Sequence, residues 1–491
     1  MPLLNLPDEL LVLCCDHVDI FSTRALRLTC KRMMSMAAER LFSHVHLVPT
    51  TESAKKARAI LEHKDFMPLV TTISIKTSID EVDHPTWDIE SWADDDPEDP
   101  DHEEHGIEID GEVSYAFKAL LNDIGLFNNL RRVELNFDWE VVGLHGWDSG
   151  NHKEWTEYRV PFLRSVFGAL NHSKHPASKV HSLSICNLHD VSDDETLKSN
   201  DFQAVLSRID TLELLIATEE DSGCPERNIK FPERHQFFGT DLIEFWLAPV
   251  QHNLVNLKIY SNCYWGYLPK CDLRQLHFPK LKSLAFGNMT FTHDWQLDWI
   301  TSHGKTLELL TLDDCPIVHD AMVAQAVDSE RYVQLLDDRS VGWDPNSETG
   351  WSFGSRWHDF FRKMTIGLQR LQHFGMAHGP WNSGDDDDSV RPAFEASTWL
   401  PARLEIGRYL IFHWGTGPCQ WIEPASCRYA DEDDLMTKIP EPELADQYSC
   451  CWDTDDEPPL PSYPDCWDQD QEAFDVLMAA VQGRRASKQS V

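Results

Sequence analysis

The sequence predicts an α/β chain: a small three-helix module at the N-terminus, then an irregular solenoid of parallel strands with helices outside, interrupted by acidic disordered segments. Three observations lead there. A three-point apolar pattern spaced i, i+3, i+5 recurs eight times between Val70 and Met376. Most copies follow a stretch with helical apolar periodicity, and helix-then-strand units repeated in one direction imply parallel pairing. The charge is also segregated. The chain has 491 residues with 82 Asp+Glu against 43 Lys+Arg, a formal net charge of -39. Residues 80–112 alone hold 16 acidic residues and no Lys or Arg, and residues 431–475 hold 16 against the single Lys438. Asp385 to Asp388 add four more. The remainder is close to neutral, so the acidity belongs to three segments rather than to the folded part. Like-charge runs with Pro and few aliphatic residues are expected to stay solvated.

The first element is residues 1–48. Pro7 sits early in a helix, where its missing N–H costs little, and Leu10, Leu11, Leu13 and Cys14 give that helix an apolar face. Ser22 is placed to cap a second helix containing Leu26 and Leu28. Met33, Met34, Ala37, Leu41 and Phe42 continue into a third, and Val45 and Leu47 close with the period of a strand. A segment of this size is near the lower limit for an independent core, so it is expected to lean on something else.

These residues resemble a known family. Leu6-Pro7-Asp8-Glu9-Leu10-Leu11, then Leu26-Arg27-Leu28-Thr29-Cys30-Lys31-Arg32, then Arg40-Leu41-Phe42, look like an F-box in order and spacing. The arrangement is similar to that of many F-box proteins of filamentous fungi. The resemblance implies binding to the Skp adaptor of a cullin–RING ubiquitin ligase through Leu6, Pro7, Leu10 and Leu11, with Leu26, Leu28 and Leu41 adding core or contact surface. Thr23 and Arg24 stand where the family usually has apolar residues, with Ile20 and Phe21 nearby as substitutes.

A linker helix and the first repeat strand are expected in 49–79, and the acidic insertion in 80–112. The repeat domain follows in 113–430. Its pattern appears at Val70/Ile73/Ile75, Leu130/Val133/Leu135, Val180/Leu183/Ile185 and Ile209/Leu212/Leu214. It returns at Leu254/Leu257/Ile259, Leu281/Leu284/Phe286, Leu307/Leu310/Leu312 and Leu371/Phe374/Met376. This resembles the LxxLxL core of a leucine-rich repeat, in which the first residue closes a turn and the next two point inward from a short strand. Leu404 to Phe412 is expected to add a final strand.

Polar positions between the inward ones face the open side of such a sheet. Arg132, Glu134, Lys258, Tyr260 and Lys282 are candidates for partner contact, together with Trp265 from an aromatic insertion. Further insertions are Trp-rich: Trp139, Trp147 and Trp155; Trp343, Trp351 and Trp357; and Trp381. The reading favoured for them is that they fold back over strand ends. Asn136, Asn187, Asn262 and Asp313 lie just past strands, where an amide or carboxylate stabilises the turn.

The last element, 431–491, is an acidic tail with a short helix, Glu472 to Gln482, presenting Phe474, Leu477, Met478 and Val481 on one face. It contains an echo, Cys451-Trp452-Asp453-Thr454-Asp455 and Cys466-Trp467-Asp468-Gln469-Asp470, expected to dock on the chain's own surface. Arg484-Arg485-Ala486-Ser487 resembles a basophilic kinase site.

Several classes are excluded as expectations. The N-terminus lacks a basic flank and a cleavage site, and no apolar run approaches the ~20 residues of a spanning helix, so neither secretion nor a membrane is expected. There are 13 cysteines, with no CxxC pair, which points to reduced thiols in the cytoplasm or nucleus. No basic stripe or nucleic-acid motif is present. Gly304-Lys305-Thr306 resembles the tail of a phosphate loop, but Trp299 stands where its first Gly belongs. His102 and His105 sit among carboxylates without a second ligand pair. The expectation is therefore a non-enzyme without metal or cofactor: a substrate receptor that joins the adaptor, and through it a cullin, to an unknown target protein. The alternative is a repeat scaffold whose helical module is only a cap. A receptor should leave Pro7, Leu10 and Leu11 partly exposed; a cap should bury them against residues beyond about 50.

Overall fold

The computed structural model describes residues 6–78, 114–138, 141, 154, 156–219, 229–341, 348–377, 400–404, 406–413, 421–422 and 464–489. The acidic runs at 80–112 and 385–388, most of the acidic tail, and Trp139, Trp147, Trp155, Trp343 and Trp381 lie outside the described residues. The chain divides into two compact units: Met1–Leu144, Asp148–Asn187 and Asp193–Leu212, and then His145–Trp147, Leu188–Ser192 and Glu213–Val491.

The first unit opens with α1 (Asp8–Asp16), α2 (Ile20–Arg27) and α3 (Lys31–Ser43). Strand β1 (His44–Leu47) follows α3 with no intervening residue. After α4 (Thr51–Glu62), capped by the Thr50 hydroxyl accepting from Ser53 N–H at 3.2 Å, come β2 (Thr72–Lys76), α5 (Tyr115–Asn122), β3 (Arg132–Asn136) and α6 (Thr156–Leu170). Strand β4 (Ser182–His189), whose last two residues fall in the second unit, and helices α7 (Asp194–Leu197) and α8 (Asn200–Leu206) complete it. β1, β2, β3 and β4 pair in that order, all parallel, with Val45, Ile73, Val133 and Leu183 in one register row and Leu47, Ile75, Leu135 and Ile185 in the next. Every residue of both rows is buried.

Strand β5 (Thr211–Ala217) begins in the first unit and ends in the second. The second unit continues with α9 (Pro232–Gln236) running into a π-helical segment (Phe237–Leu247), then β6 (Asn256–Ser261), β7 (Ser283–Gly287), α10 (Asp294–Ser302) and β8 (Leu309–Asp313). β9 (Ile317–Ala324), β10 (Glu348–Ser352), α11 (Trp357–Gly367), β11 (His373–Ala377), β12 (Tyr409–His413), β13 (Trp421–Ile422) and α12 (Trp467–Gln489) complete the chain. β6, β7, β8 and β11 pair parallel, placing Leu257, Leu284, Leu310 and Phe374 in one row.

All the predicted three-point positions are buried, from Val70 to Met376. The first member of each set closes a turn: Val70, Leu130, Val180, Ile209, Leu281 and Leu371 N–H groups donate to the carbonyl three residues back, and Leu254 and Leu307 to the carbonyl four back. The preceding helices bury the apolar faces expected of them, such as Phe117, Leu120 and Leu121 on α5 and Phe360, Phe361 and Met364 on α11. A ninth copy, Phe42-x-x-Val45-x-Leu47, places β1 in the same sheet as β2.

Two expectations about the later elements are corrected. The terminal helix, expected as a short one over Glu472 to Gln482, runs from Trp467 to Gln489, 23 residues. The strand near 404–412 does not extend the parallel sheet. β12 instead joins a second, four-stranded sheet in the order β10-β9-β12-β13, pairing parallel with β9 and antiparallel with β13. Among the described residues after β11, Ala402 forms an isolated parallel bridge with Met376 of the first sheet. The second sheet covers an apolar cluster of Tyr267, Val318, Ala321, Val323, Tyr332, Phe353 and Phe412. Tyr267 and Phe353 belong to the aromatic insertions or their flanks, so those segments fold back into the unit's own core.

Strand ends carry an amide ladder. Asn136 Nδ2 donates to Ser74 Oγ at 3.0 Å, and Asn187 Nδ2 to Phe137 O at 3.0 Å. Asn262 brackets Thr218, accepting its N–H at 2.9 Å and donating to its carbonyl at 3.1 Å. Asn288 joins the set, its Nδ2 donating to Ser261 O at 3.0 Å. Asn187 and Asn288 hold φ of 56° and 57°, a left-handed turn that Asn tolerates.

Candidate functional site

The N-terminal module has a core and an open face. Leu11, Cys15 and Met33 are buried together, with Leu6, Leu26, Cys30 and Met36 packed against them. Leu11 and Cys15 are one helical turn apart, so they share the inward side of α1. Leu10 and Leu13 share the other side and are 45 % and 50 % exposed. Ile20, Phe21, Leu28 and Met34 are also exposed, Phe21 at 73 % and Leu28 at 86 %. Six large apolar side chains left open between positions 10 and 34 is a high density for a surface that meets only water.

Polar contacts fix the helices that present this face. Arg32 Nε on α3 donates to Asp8 Oδ1 at 2.7 Å, and its Nη2 to Leu6 O at 2.7 Å, tying α3 to the start of α1. Asp19, not the expected Ser22, caps α2; Ser22 lies inside the helix and donates to the Asp19 carboxylate from its N–H at 2.9 Å and its hydroxyl at 2.5 Å. The Ser22 hydroxyl, then its N–H, holds the Asp19 carboxyl below the usual carboxylate range. Arg40 Nη2 reaches Val18 O at 2.9 Å. Thr23, a departure from the family pattern, is fully buried and donates to Asp19 O at 2.9 Å, an ordinary helical back-bond. Arg24 is exposed with its guanidinium over Phe21.

The expected contact residues therefore divide. Pro7, Leu10 and Leu28 are exposed, Leu6, Leu26 and Leu41 are half-buried, and Leu11 is core. The apolar residues packed around Leu11 among the described residues belong to the module itself: Leu6, Cys15, Leu26, Cys30, Met33 and Met36. Sequence reasoning missed Leu13 and Met34 as part of the open face. The available signal was that both fall off the inward side set by Leu11, Cys15 and Met33.

The other candidates lie on the strands. Arg132 and Glu134 are half-buried and bonded to each other at 2.7 Å, and Arg132 also donates to Ser182 Oγ at 3.0 Å. Lys258 lies 3.7 Å from Glu213. Lys282 is exposed. Tyr260 and Trp265 are fully buried. Tyr260 donates to Asp313 Oδ2 at 3.1 Å and Trp265 Nε1 to Gly287 O at 2.8 Å, so neither is open to a partner.

Buried charge occurs in each unit. In the first, Arg159 lies 3.4 Å from Glu154 and donates to the carbonyls of Asn187 and Asp138 at 2.8 and 2.7 Å. Burial pushes the Glu154 carboxyl up, against the pull of Arg159. In the second, Asp190 accepts from the Thr218 hydroxyl at 2.7 Å, and burial pushes its carboxyl up to about 6 despite Arg234.

Among the described residues, His358, Cys466 and Asp470 form a group whose donor atoms lie within 4.8 Å of one another, close enough for a metal ion. Their hydrogen bonds argue for a different use. Asp470 Oδ1 accepts from His358 N–H at 2.9 Å and contacts His358 Nδ1 at 2.8 Å. Oδ2 accepts from Arg408 Nε at 2.9 Å, Tyr409 OH at 3.0 Å and Cys466 Sγ at 3.4 Å. The carboxylate's acceptor sites are taken, a guanidinium already supplies its counter-charge, and burial keeps Cys466 a thiol. The group clamps the start of α12 onto α11 and β12. The second Cys-Trp-Asp segment thus docks on the chain's own surface, while the first lies outside the described residues.

The chain therefore pairs a helical module bearing an open apolar face with parallel strand–helix units. Residues 3–43 match the F-box domain family, which covers the whole of that module. No curated protein matches the chain. Among the described residues no helix is long and apolar enough to cross a membrane.

Proposed function

We propose that the chain is the substrate-receptor subunit of a Skp–cullin–F-box ubiquitin ligase. The N-terminal module binds the Skp adaptor, and through it a cullin. The strand–helix units, which resemble leucine-rich repeats, hold a target protein. The chain performs no bond chemistry on this reading; it raises local concentration and sets orientation. The observation that carries it is the open apolar face of a module that matches the F-box domain. A cap serving only the following units would turn Leu10 inward, and Leu10 points out.

The test is co-purification of adaptor and cullin with the full chain and with Leu10→Arg/Leu13→Arg. Both side chains are outside the module's core, so the variant is expected to fold. Loss of one anchoring apolar residue at an interface is worth about 2 kcal/mol, roughly 30-fold in affinity. Undiminished recovery of adaptor by a variant with unchanged circular dichroism would defeat the reading. Leu11→Arg is unsuitable, because it places a charge in the core.

A further inference from the structure

The kinase-like motif at the C-terminus lies where the structure has gathered positive charge. A groove of about 560 Å³ runs beside the last turns of α12, lined by Gln369, Arg370, Gln372, Arg484, Ser487 and Lys488 among others. Arg484 Nη2 donates to Thr365 O, at the end of α11, at 2.7 Å. Its Nη1 is buried and has no hydrogen-bond partner among the described residues. Lys488 pairs with Glu308 at 2.9 Å. The Glu308 carboxyl is held below its usual range, first by the Lys488 hydrogen bond and then by the charges of Lys488, Lys282 and Arg370. Arg370, Arg484 and Lys488 thus line a groove beside Glu308, in a chain whose formal charge is -39.

We propose that Ser487 is a phosphorylation site and that its phosphate is held in this groove by Arg484, Arg370 and Lys488. Ser487 is exposed, with its hydroxyl donating to Gly483 O at 2.9 Å. It lies three residues after Arg484, so the two side chains are neighbours on one helix face. A phosphate there places an acceptor beside the Arg484 guanidinium, whose Nη1 has no partner among the described residues. In the modifying step a basophilic protein kinase transfers the γ-phosphoryl group of ATP to Ser487 Oγ. The new O–P bond forms as the bond to the β–γ bridging oxygen breaks, the hydroxyl proton passes to the kinase's base, and ADP leaves. The consequence is a firmer end to α12. A dianion in the last turn of a helix opposes the macrodipole. The proposal therefore requires the arginine contacts to outweigh that penalty, since charge-assisted hydrogen bonds are the stronger kind.

Two measurements test it. The full chain is first made with phosphoserine installed at position 487 by suppression, alone and with Arg370→Gln, which lies outside the kinase motif. Hydrogen exchange over 480–489 should slow by about tenfold on phosphorylation, as expected for one or two charge-assisted bonds. Most of that slowing should vanish with Arg370→Gln. Unchanged or faster exchange on phosphorylation overturns the proposal, because the phosphate is then not held. Secondly, the native chain is incubated with a basophilic kinase and MgATP beside a synthetic peptide of residues 480–489. Mass spectrometry should find phosphate on Ser487 in both. Modification of the peptide alone overturns the proposal, because the folded site is then not an acceptor.

Discussion

Replacing Asp470 with Ala should open the start of α12 and leave its middle in place. Asp470 is fully buried and receives Arg408, Tyr409, His358 and Cys466. Removing one partner of a buried ion pair costs about 3–5 kcal/mol, because the remaining charge stays uncompensated. Arg408 is itself buried, so that figure applies. Against it stands the apolar hold of Phe474, Leu477 and Val481, all buried against their surroundings. Phe474 packs on Phe361 and Phe374 at 5.4 and 6.3 Å between ring centroids. At about 1.5–3 kcal/mol for each side chain, the three supply roughly 5–9 kcal/mol. The apolar term exceeds the polar loss, so the helix should not detach as a whole. Hydrogen exchange by mass spectrometry should accelerate over 464–472 by roughly 10²–10⁴-fold and much less over 474–484. Asp468→Asn is the control: it removes a carboxylate from the same turn, but an exposed one. Equal exchange in the two variants would refute the clamp. Uniform deprotection along α12 would refute the independence of its apolar hold.

Two further outcomes follow from the second unit. Burial holds His235, His303 and His319 down to about 4, and the Phe278 N–H donating to His303 Nε2 at 3.1 Å requires that ring to be neutral. A depressed histidine contributes stability above its unfolded value near 6.5 that is lost as pH falls through about 4, roughly 3 kcal/mol each. Asp190, raised to about 6, acts oppositely: its contribution is full below about 3.8 and lost as pH rises through 6, also roughly 3 kcal/mol. Three histidines outweigh one aspartate, so denaturant midpoints should fall steadily from pH 6.5 to 4; a flat profile would contradict this balance. Gly304→Ala should lower the melting temperature by about 3–10 °C, because its Cβ would stand 1.9 Å from the Gly367 carbonyl oxygen. An unchanged melting curve would show that α10 and α11 can separate at no cost.

That glycine also shows where local reading stops. Gly304-Lys305-Thr306 suggests a phosphate loop by type, whereas the structure uses Gly304 for a backbone approach to Gly367, which no window of sequence reveals. The three-point apolar sets were legible because they are local: a turn-closing residue followed by two alternating strand positions. The asparagines were legible for a similar reason, since their turn chemistry belongs to one strand end. Tyr260 was not. It stands in a polar alternation with Lys258, yet it is buried because Gly287 on the neighbouring strand leaves room for its ring. A Cβ at Gly287 would lie 2.3 Å from that ring. Asp313, a strand further, accepts its hydroxyl. Both partners are remote in sequence. The second sheet was missed likewise, because β9 and β12 pair across more than eighty residues. On the module, Leu10 and Leu11 are equally apolar neighbours, and only the packing of α1 on α3 separates surface from core.

The ninth apolar set has a bearing on function that the other eight lack. Phe42 belongs both to the end of the F-box match and to the start of the β1 pattern. Its ring stacks on Phe66 at 4.2 Å, and Arg27 of α2 lies over both rings, at 5.1 and 5.0 Å from their centroids. Ser43, the last residue of α3, accepts from Thr71 N–H at 2.9 Å just before β2 begins. Helix α3 is thus continuous with a strand that is hydrogen-bonded into the sheet, and α2 is pinned across the junction. A flexible tether would let a bound partner sample many orientations relative to the module. Here the first strands are fixed to it by backbone pairing and a three-group stack. If the module holds the adaptor, then Arg132, Glu134 and Ser182 on the face of β3 and β4 are held at a set orientation to it, and the first unit alone determines that orientation.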